Sequence, residues 1–225
     1  MKTLNVVAID GPAGSGKSTV AKKVAEKLGF LYIDTGAMYR ALTLKAINAG
    51  LDFNKKRSLI DLSKNIDIEL KESGDSLKVY LDKQDVSEQI RTMEVTTKVK
   101  LLASLKEVRA NMVRLQRKLG MSAKGVVLEG RDIGTVVFPE ARYKFYLDAN
   151  LETRVKRRFE ELKCKGFSVS LDEIKEDVKN RDTADMTRKA GPLKKAEEAV
   201  AIDTTDMSVE GVVKEILDSV KADNI

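Results

Sequence analysis

The sequence predicts an α/β protein, a parallel sheet flanked by helices and interrupted by a small antiparallel insert. Three observations predict it. Short apolar strands alternate with stretches whose apolar residues recur at helical spacing, as in Leu4–Ile9 followed by Val20, Val24 and Leu28. A glycine-rich loop joins that first strand to that first helix. At Ile66–Leu70 and Leu77–Leu81 the rhythm gives way to period-two alternation around Ser73-Gly74-Asp75, the pattern of an antiparallel hairpin.

The remaining elements follow in order. Leu31-Tyr32-Ile33 reads as the second strand. Asp34 or Thr35 caps the next helix, whose apolar residues include Met38, Leu42 and Ile47. Glu94–Leu119 is helical in composition with a break near Ser104, and Val126-Val127-Leu128 restores the core strand pattern. Tyr143–Leu147 gives another strand, Leu151–Lys163 a very basic helix and Leu171–Arg181 a further helix. Val200-Ala201-Ile202 and Ser208–Val220 close the chain as strand and helix, with no internal repeat or low-complexity linker. A length of 225 residues, 42% of them hydrophobic, suits a single α/β domain carrying insertions.

Composition narrows the function. With 41 Lys+Arg against 35 Asp+Glu, the formal charge of +6 favours polyanionic partners, nucleotides as readily as nucleic acid. The lone cysteine, Cys164, has no partner for an internal disulfide, and the first ten residues lack the layout of a signal peptide, so a cytoplasmic protein is expected. No apolar run approaches the roughly 20 residues that cross a bilayer. Histidine is absent, which removes the commonest acid/base group near neutral pH and the commonest zinc ligand.

Gly11-Pro12-Ala13-Gly14-Ser15-Gly16-Lys17-Ser18 satisfies G-x-x-x-x-G-K-[ST] between a predicted strand and a predicted helix, where a phosphate-binding loop belongs. Glycines let the backbone curl until several N–H groups face phosphate oxygens, and the following helix adds its positive dipole end. Lys17 is expected to reach the β- and γ-phosphates, and the Ser18 hydroxyl to ligate magnesium; Thr19 follows as a neighbour in the binding segment. ATP is the expected phosphoryl donor.

Two further segments fall at the ends of strands, where open α/β sheets collect ligands: Asp34-Thr35-Gly36-Ala37-Met38-Tyr39-Arg40 and Glu129-Gly130-Arg131-Asp132. With Asp85-Val86-Ser87, Ile90-Arg91-Thr92, the continuation Ile133–Pro139, Lys165-Gly166-Phe167-Ser168-Val169, Arg181-Asp182 with Asp185 and Arg188, and Asp203-Thr204-Thr205, they resemble bacterial cytidylate kinases along essentially the whole chain. The resemblance implies a nucleoside monophosphate kinase that moves the γ-phosphate of ATP to CMP and dCMP. It implies one P-loop kinase domain over residues 1–225, with an NMP-binding insert at about 50–105, a short helical lid at about 154–190, and a monomeric state. Implied for the acceptor are Thr35, Tyr39, Arg40, Arg109, Arg131, Asp132, Asp185 and Arg188. Lys17, Arg131, Arg157 and Arg181 are the implied catalytic cations.

Such a reaction suits a chain without histidine. The acceptor phosphate oxygen is already ionised, so the task is to align two anions and neutralise shifting charge, for which arginine forks and magnesium serve. Arg154, Arg157 and Arg158 on the basic helix, with Arg181 and Arg188 beyond, are expected to meet phosphate. Two positions depart from the family pattern. Lys100 stands where a small hydroxyl residue usually meets the cytosine edge, leaving Thr97 or Ser104 nearby, and Lys83 replaces a glycine at a turn that demands positive φ. Kinases of UMP, AMP, shikimate or dephospho-coenzyme A fit the long insert and the Gly-Arg-Asp segment less well. An RNA-binding or switch protein lacks its stacking platform, since aromatics are 5% of the chain. Neither nucleic acid nor membrane is an expected partner.

Overall fold

A computed structural model describes residues 5–73, 76–164 and 166–222. In chain order its first half contains β1 (Asn5–Asp10), α1 (Lys17–Leu28), β2 (Leu31–Asp34), α2 (Thr35–Asn48), α3 (Lys56–Lys64), β3 (Ile68–Ser73), β4 (Ser76–Leu81), β5 (Gln84–Asp85) and α4 (Met93–Ala103). There follow α5 (Lys106–Met121), β6 (Gly125–Gly130), β7 (Tyr143–Asp148), α6 (Leu151–Cys164), α7 (Leu171–Thr187), β8 (Val200–Asp203) and α8 (Val209–Ala222). The chain divides into two compact units, residues 33–122 forming one and the flanking segments the other.

In the flanking unit the main sheet has the order β2-β6-β1-β7-β8, and β6, β1, β7 and β8 run parallel. Every residue of β6 and all but Asn5 of β1 are buried. Such unbroken burial, rather than alternation, marks strands covered on both faces. The parallel register aligns Asp10 with Gly130 and Asp148 with Asp203, so the carboxyl ends of these four strands share one edge. Beyond that edge, α6 and α7 bury Val155, Leu162, Ile174 and Val178 in a cluster of their own. A capping box at Ser170 and Glu173 starts α7 by satisfying orphan backbone donors in both directions.

Residues 33–122 hold the predicted hairpin, β3 against β4 in the register Ile68↔Leu81, extended by β5 to three strands. Asp34 caps α2 by accepting from the Ala37 N–H at 2.8 Å, resolving the choice between Asp34 and Thr35. Helix α2 packs on α4 and α5, and α3 on α5, where Asn111 donates to Ser63 at 2.8 Å.

The structure adds α3 and β5 to the elements read from sequence and carries α7 beyond Arg181 to Thr187, which brings Asp182 and Asp185 into the helix. Leu4, the Gly74-Asp75 turn and Lys165 lie outside the described residues. No helix among the described residues is long and apolar enough to cross a membrane.

The β4–β5 turn bears out the strain expected at Lys83. Two residues, Asp82 at φ 48° and Lys83 at φ 69°, connect the paired Leu81 and Gln84. This is the mirror-image turn that prefers glycine second. Asp82 is also tied to α2 by Lys45 at 2.8 Å. Left-handed backbone costs a residue with a Cβ roughly 1–2 kcal/mol, partly offset by the extra unfolded-state freedom of glycine. Lys83→Gly is therefore expected to stabilise the protein by about 1 kcal/mol in urea unfolding at unchanged m-value. A lower midpoint would show that the lysine side chain contributes more than its backbone costs.

Candidate active site

The glycine loop leaves the carboxyl end of β1 and enters α1. Gly14 has φ +77°, and a Cβ there would stand 2.9 Å from the backbone oxygen of Arg154, so the first turn of α6 lies directly against the loop. A Cβ on Gly11 would overlap the carbonyl oxygen of Leu147 at the end of β7. These glycines serve close approach as well as curvature. Gly11, Pro12, Ala13 and Ser15 are buried, Gly14 and Gly16 half-buried, and the Ser18 and Thr19 side chains are exposed on the first turn of α1.

Lys17 is 5% exposed, and its ammonium donates to the Pro12 carbonyl at 2.6 Å and to Ser15 Oγ at 3.2 Å. Burial first, then the charges of Arg131 and Arg181, lower its pKa to about 7, while Glu129 and Asp10 oppose the shift. Glu129 accepts from the Tyr32 hydroxyl at 2.9 Å. Asp10, at the end of β1, accepts from the backbone N–H groups of Ile133 and Gly134, each at 2.8 Å. Burial raises its pKa to about 6 despite those two bonds. Asp10 thereby pins the π-helical turn Ile133–Val137 and with it the Gly130-Arg131-Asp132 segment at the end of β6.

Arg131 donates through Nε to Asp185 at 2.8 Å and through a terminal nitrogen to the Gly130 carbonyl at 3.2 Å. Arg188 shares Asp185 at 3.2 Å, lies 3.6 Å from Asp132, and donates to the Gly191 carbonyl at 2.5 Å. Burial, the largest influence on Asp185, pushes its carboxyl up, but Arg131, Arg188 and Arg181 together bring it below the usual range. Arg131, Asp132, Asp185 and Arg188 thus form one ion network at the edge that carries the loop.

The basic helix divides its arginines by task. Arg157 donates to the Thr204 hydroxyl at 3.0 Å and to the Thr204 carbonyl at 2.6 Å, and that hydroxyl lies 3.1 Å from the Ser15 carbonyl. Arg158 pairs with Glu161 at 2.7 Å. Arg154, expected to meet phosphate, is instead buried against Asp182, Ala13 and Ala149.

Residues 33–122 carry the other predicted contacts. Thr35 is buried at the start of α2, and Arg40 donates to Thr96 at 3.2 Å. Arg109 is 4% exposed, donates to the Ala103 carbonyl at 3.2 Å, and has its guanidinium 5.4 Å from the Tyr39 ring centre. Lys100 is exposed, while the Thr97 and Ser104 hydroxyls donate to the Met93 and Leu101 carbonyls of their own helix. Thr96, one position away and bonded to Arg40, was not singled out from sequence. Asp10 was also missed; its signal was an acid closing an apolar strand immediately before the glycine loop, where burial demands partners.

Fold and site together define a P-loop α/β protein with an arginine–aspartate network at the sheet edge that carries its phosphate loop. The family model for cytidylate kinase matches residues 7–222. Cytidylate kinases of Clostridioides difficile and Bacillus subtilis are 49% and 47% identical to it, each over 96% of this chain and 97% and 96% of their own. The chain belongs to the cytidylate kinase family. Among solved structures, TT1252 from Thermus thermophilus (TM-score 0.52, 22% identity, 98% and 97% coverage) and a gluconokinase from Sinorhizobium meliloti (0.51, 13%, 99% and 94%) share the fold.

The low pKa of Lys17 generates a prediction. Above pH 7 the free lysine is largely neutral, whereas polyphosphate beside it raises its pKa, so binding takes up a proton. Calorimetric titration of ATP at pH 8 in buffers of different ionisation enthalpy is expected to show uptake approaching one proton, with affinity falling as pH rises further. Lys17→Arg, always charged, should abolish that uptake. Equal uptake in both proteins would place the titrating group elsewhere.

Proposed function

We propose that this protein transfers the γ-phosphate of ATP to CMP and dCMP, releasing ADP with CDP or dCDP. The observation that carries the reading is the meeting of the phosphate loop and the Arg131–Asp185–Arg188–Asp132 network at one sheet edge in a chain of this family. An oxygen of the acceptor phosphate forms the new bond to Pγ, the bond from Pγ to the bridging oxygen breaks, and its electron pair stays on the ADP β-phosphate. No base is required, which agrees with a chain of 225 residues containing no histidine.

Gly11–Thr19 would wrap the donor phosphates with backbone N–H groups, while Lys17, Arg131, Arg157 and Arg181 compensate the migrating charge. Thr35, Tyr39, Arg40, Arg109, Arg131, Asp132, Asp185 and Arg188 are the acceptor contacts proposed. Residues 50–105 would serve as the acceptor-binding insert and 154–190 as the lid of one kinase domain acting as a monomer in the cytoplasm.

Magnesium fits the residues present. The Ser18 hydroxyl is exposed beside Lys17 and would add one oxygen to an ion carried largely by nucleotide phosphates and water. Ser18 would hold the ion, which would supply charge neutralisation to the donor phosphates.

A coupled ADP-release assay offering CMP, dCMP, UMP and AMP in parallel tests the reading. Strong preference for CMP and dCMP is expected; preference for UMP or AMP would overturn the acceptor, and no turnover would overturn the reaction. Lys17→Ala is expected to abolish turnover with the fold intact. Arg188→Ala should raise the KM for CMP by at least about tenfold and that for ATP much less, because its neighbours Asp132 and Asp185 belong to the proposed acceptor contacts.

A further inference from the structure

The buried pair of Arg154 and Asp182 closes on a single residue of the phosphate loop. Asp182 Oδ1 accepts from the Ala13 N–H at 3.3 Å, and Arg154 donates to the Ala13 carbonyl at 3.2 Å. Arg154 also donates to Asp182 Oδ2 and, at 3.0 Å, to the Ala149 carbonyl, which fixes the guanidinium from three sides. Both side chains are nearly closed to solvent, Arg154 9% and Asp182 8% exposed.

Peptide planarity transmits this grip. In a trans peptide the N–H and C=O point in opposite directions from one rigid plane. The plane that ends at the Ala13 N–H begins at the Pro12 carbonyl, and that carbonyl accepts from Lys17 at 2.6 Å and from Ser15 Oγ at 3.1 Å. Holding the Ala13 N–H therefore aims the oxygen that holds Lys17. The next plane runs from the Ala13 carbonyl to the Gly14 N–H, so the guanidinium on Ala13 directs the Gly14 N–H the opposite way.

We propose that Asp182 and Arg154 are positioning residues for the phosphate loop: Asp182 sets the peptide that seats Lys17, and Arg154 sets the peptide that presents the Gly14 N–H to phosphate. Helix α7, which also carries Arg181 and Asp185, is thereby bonded to the loop. The inference rests on the reading of this site as an ATP site.

A purely structural ion pair can be exchanged for apolar residues with little loss, whereas a positioning pair cannot. The test compares Asp182→Asn, Arg154→Lys and the double variant Asp182→Leu/Arg154→Met with the wild type. The readouts are ATP affinity by calorimetry without acceptor, the separate KM values for ATP and CMP, and the urea midpoint. The double variant is expected to unfold near the wild-type midpoint, to bind ATP about tenfold more weakly, and to keep its KM for CMP within about twofold. Asp182→Asn retains an oxygen for the Ala13 N–H and is expected to lose only about threefold in ATP affinity.

Wild-type ATP affinity in a folded double variant, or equal weakening of ATP and CMP, would overturn the proposal. Should the double variant not fold, Asp182→Asn and Arg154→Lys decide: a selective loss of ATP affinity supports the clamp, and none overturns it. Wild-type turnover of CMP, measured alongside, reports on the underlying function. A wild type that binds ATP but leaves CMP untouched, with the variants still losing ATP, would separate the clamp from the acceptor assignment.

Discussion

Repulsion among like charges governs the edge of the sheet on which this site is built. Burial, with the charges of Arg131 and Arg181 added to it, brings the pKa of the Lys17 ammonium down to about 7. Such cations stay together only if carboxylates are interleaved with them. Asp185 between Arg131 and Arg188, Asp132 beside Arg188, and Asp182 against Arg154 supply that interleaving. A polyphosphate offers the same cations stronger partners, so the carboxylates set how much binding energy is left after the exchange. Glu129 and Asp10 hold the Lys17 pKa up against those cations, while further acids would compete with substrate.

The same charges determine how the backbone is fixed. Asp10 spends both oxygens on the N–H groups of Ile133 and Gly134, and this places the Gly130-Arg131-Asp132 segment relative to the strand that launches the phosphate loop. Thr204 links the Ser15 carbonyl to the end of β7, where Asp148 accepts from the Thr204 N–H at 2.7 Å. The parallel register makes these bonds possible, because it brings Asp10, Gly130 and Tyr146 to one level and sets Asp148 beside Asp203 two residues further along. Sheet geometry and site electrostatics are one arrangement seen at two scales.

What could be read from sequence follows from how local each signal is. Strands β1 and β6, the loop between β1 and α1, and the β3–β4 hairpin were legible because burial period and turn residues lie within a few positions of each other. Helix α3 escaped notice because only Leu59 of its apolar residues is fully buried, and the two-residue β5 has no periodicity to detect. Helix α7 was cut short at Arg181 since the stretch from Arg181 to Thr187 has only Ala184 and Met186 as apolar residues; its helicity is supported by capping at Ser170 and by ion pairs from Arg131, just past β6, and from Arg154 of α6. Family resemblance named the members of the Arg131 network, but not which acid each would meet.

Arg154 shows most directly why partners were harder to read than members. Its neighbours in sequence, Arg157 and Arg158, suggested a row of arginines facing phosphate. Helical spacing alone separates these side chains around the axis, and the close seat of Gly14 on the α6 backbone selects which of them is enclosed. Once enclosed, a guanidinium must fill its donor positions, and the carbonyls of Ala13 and Ala149 with the carboxylate of Asp182 do so. The residue type that suits phosphate also suits a carbonyl and a carboxylate. Enclosure against a glycine, which depends on residues 140 positions away in the chain, decides between them.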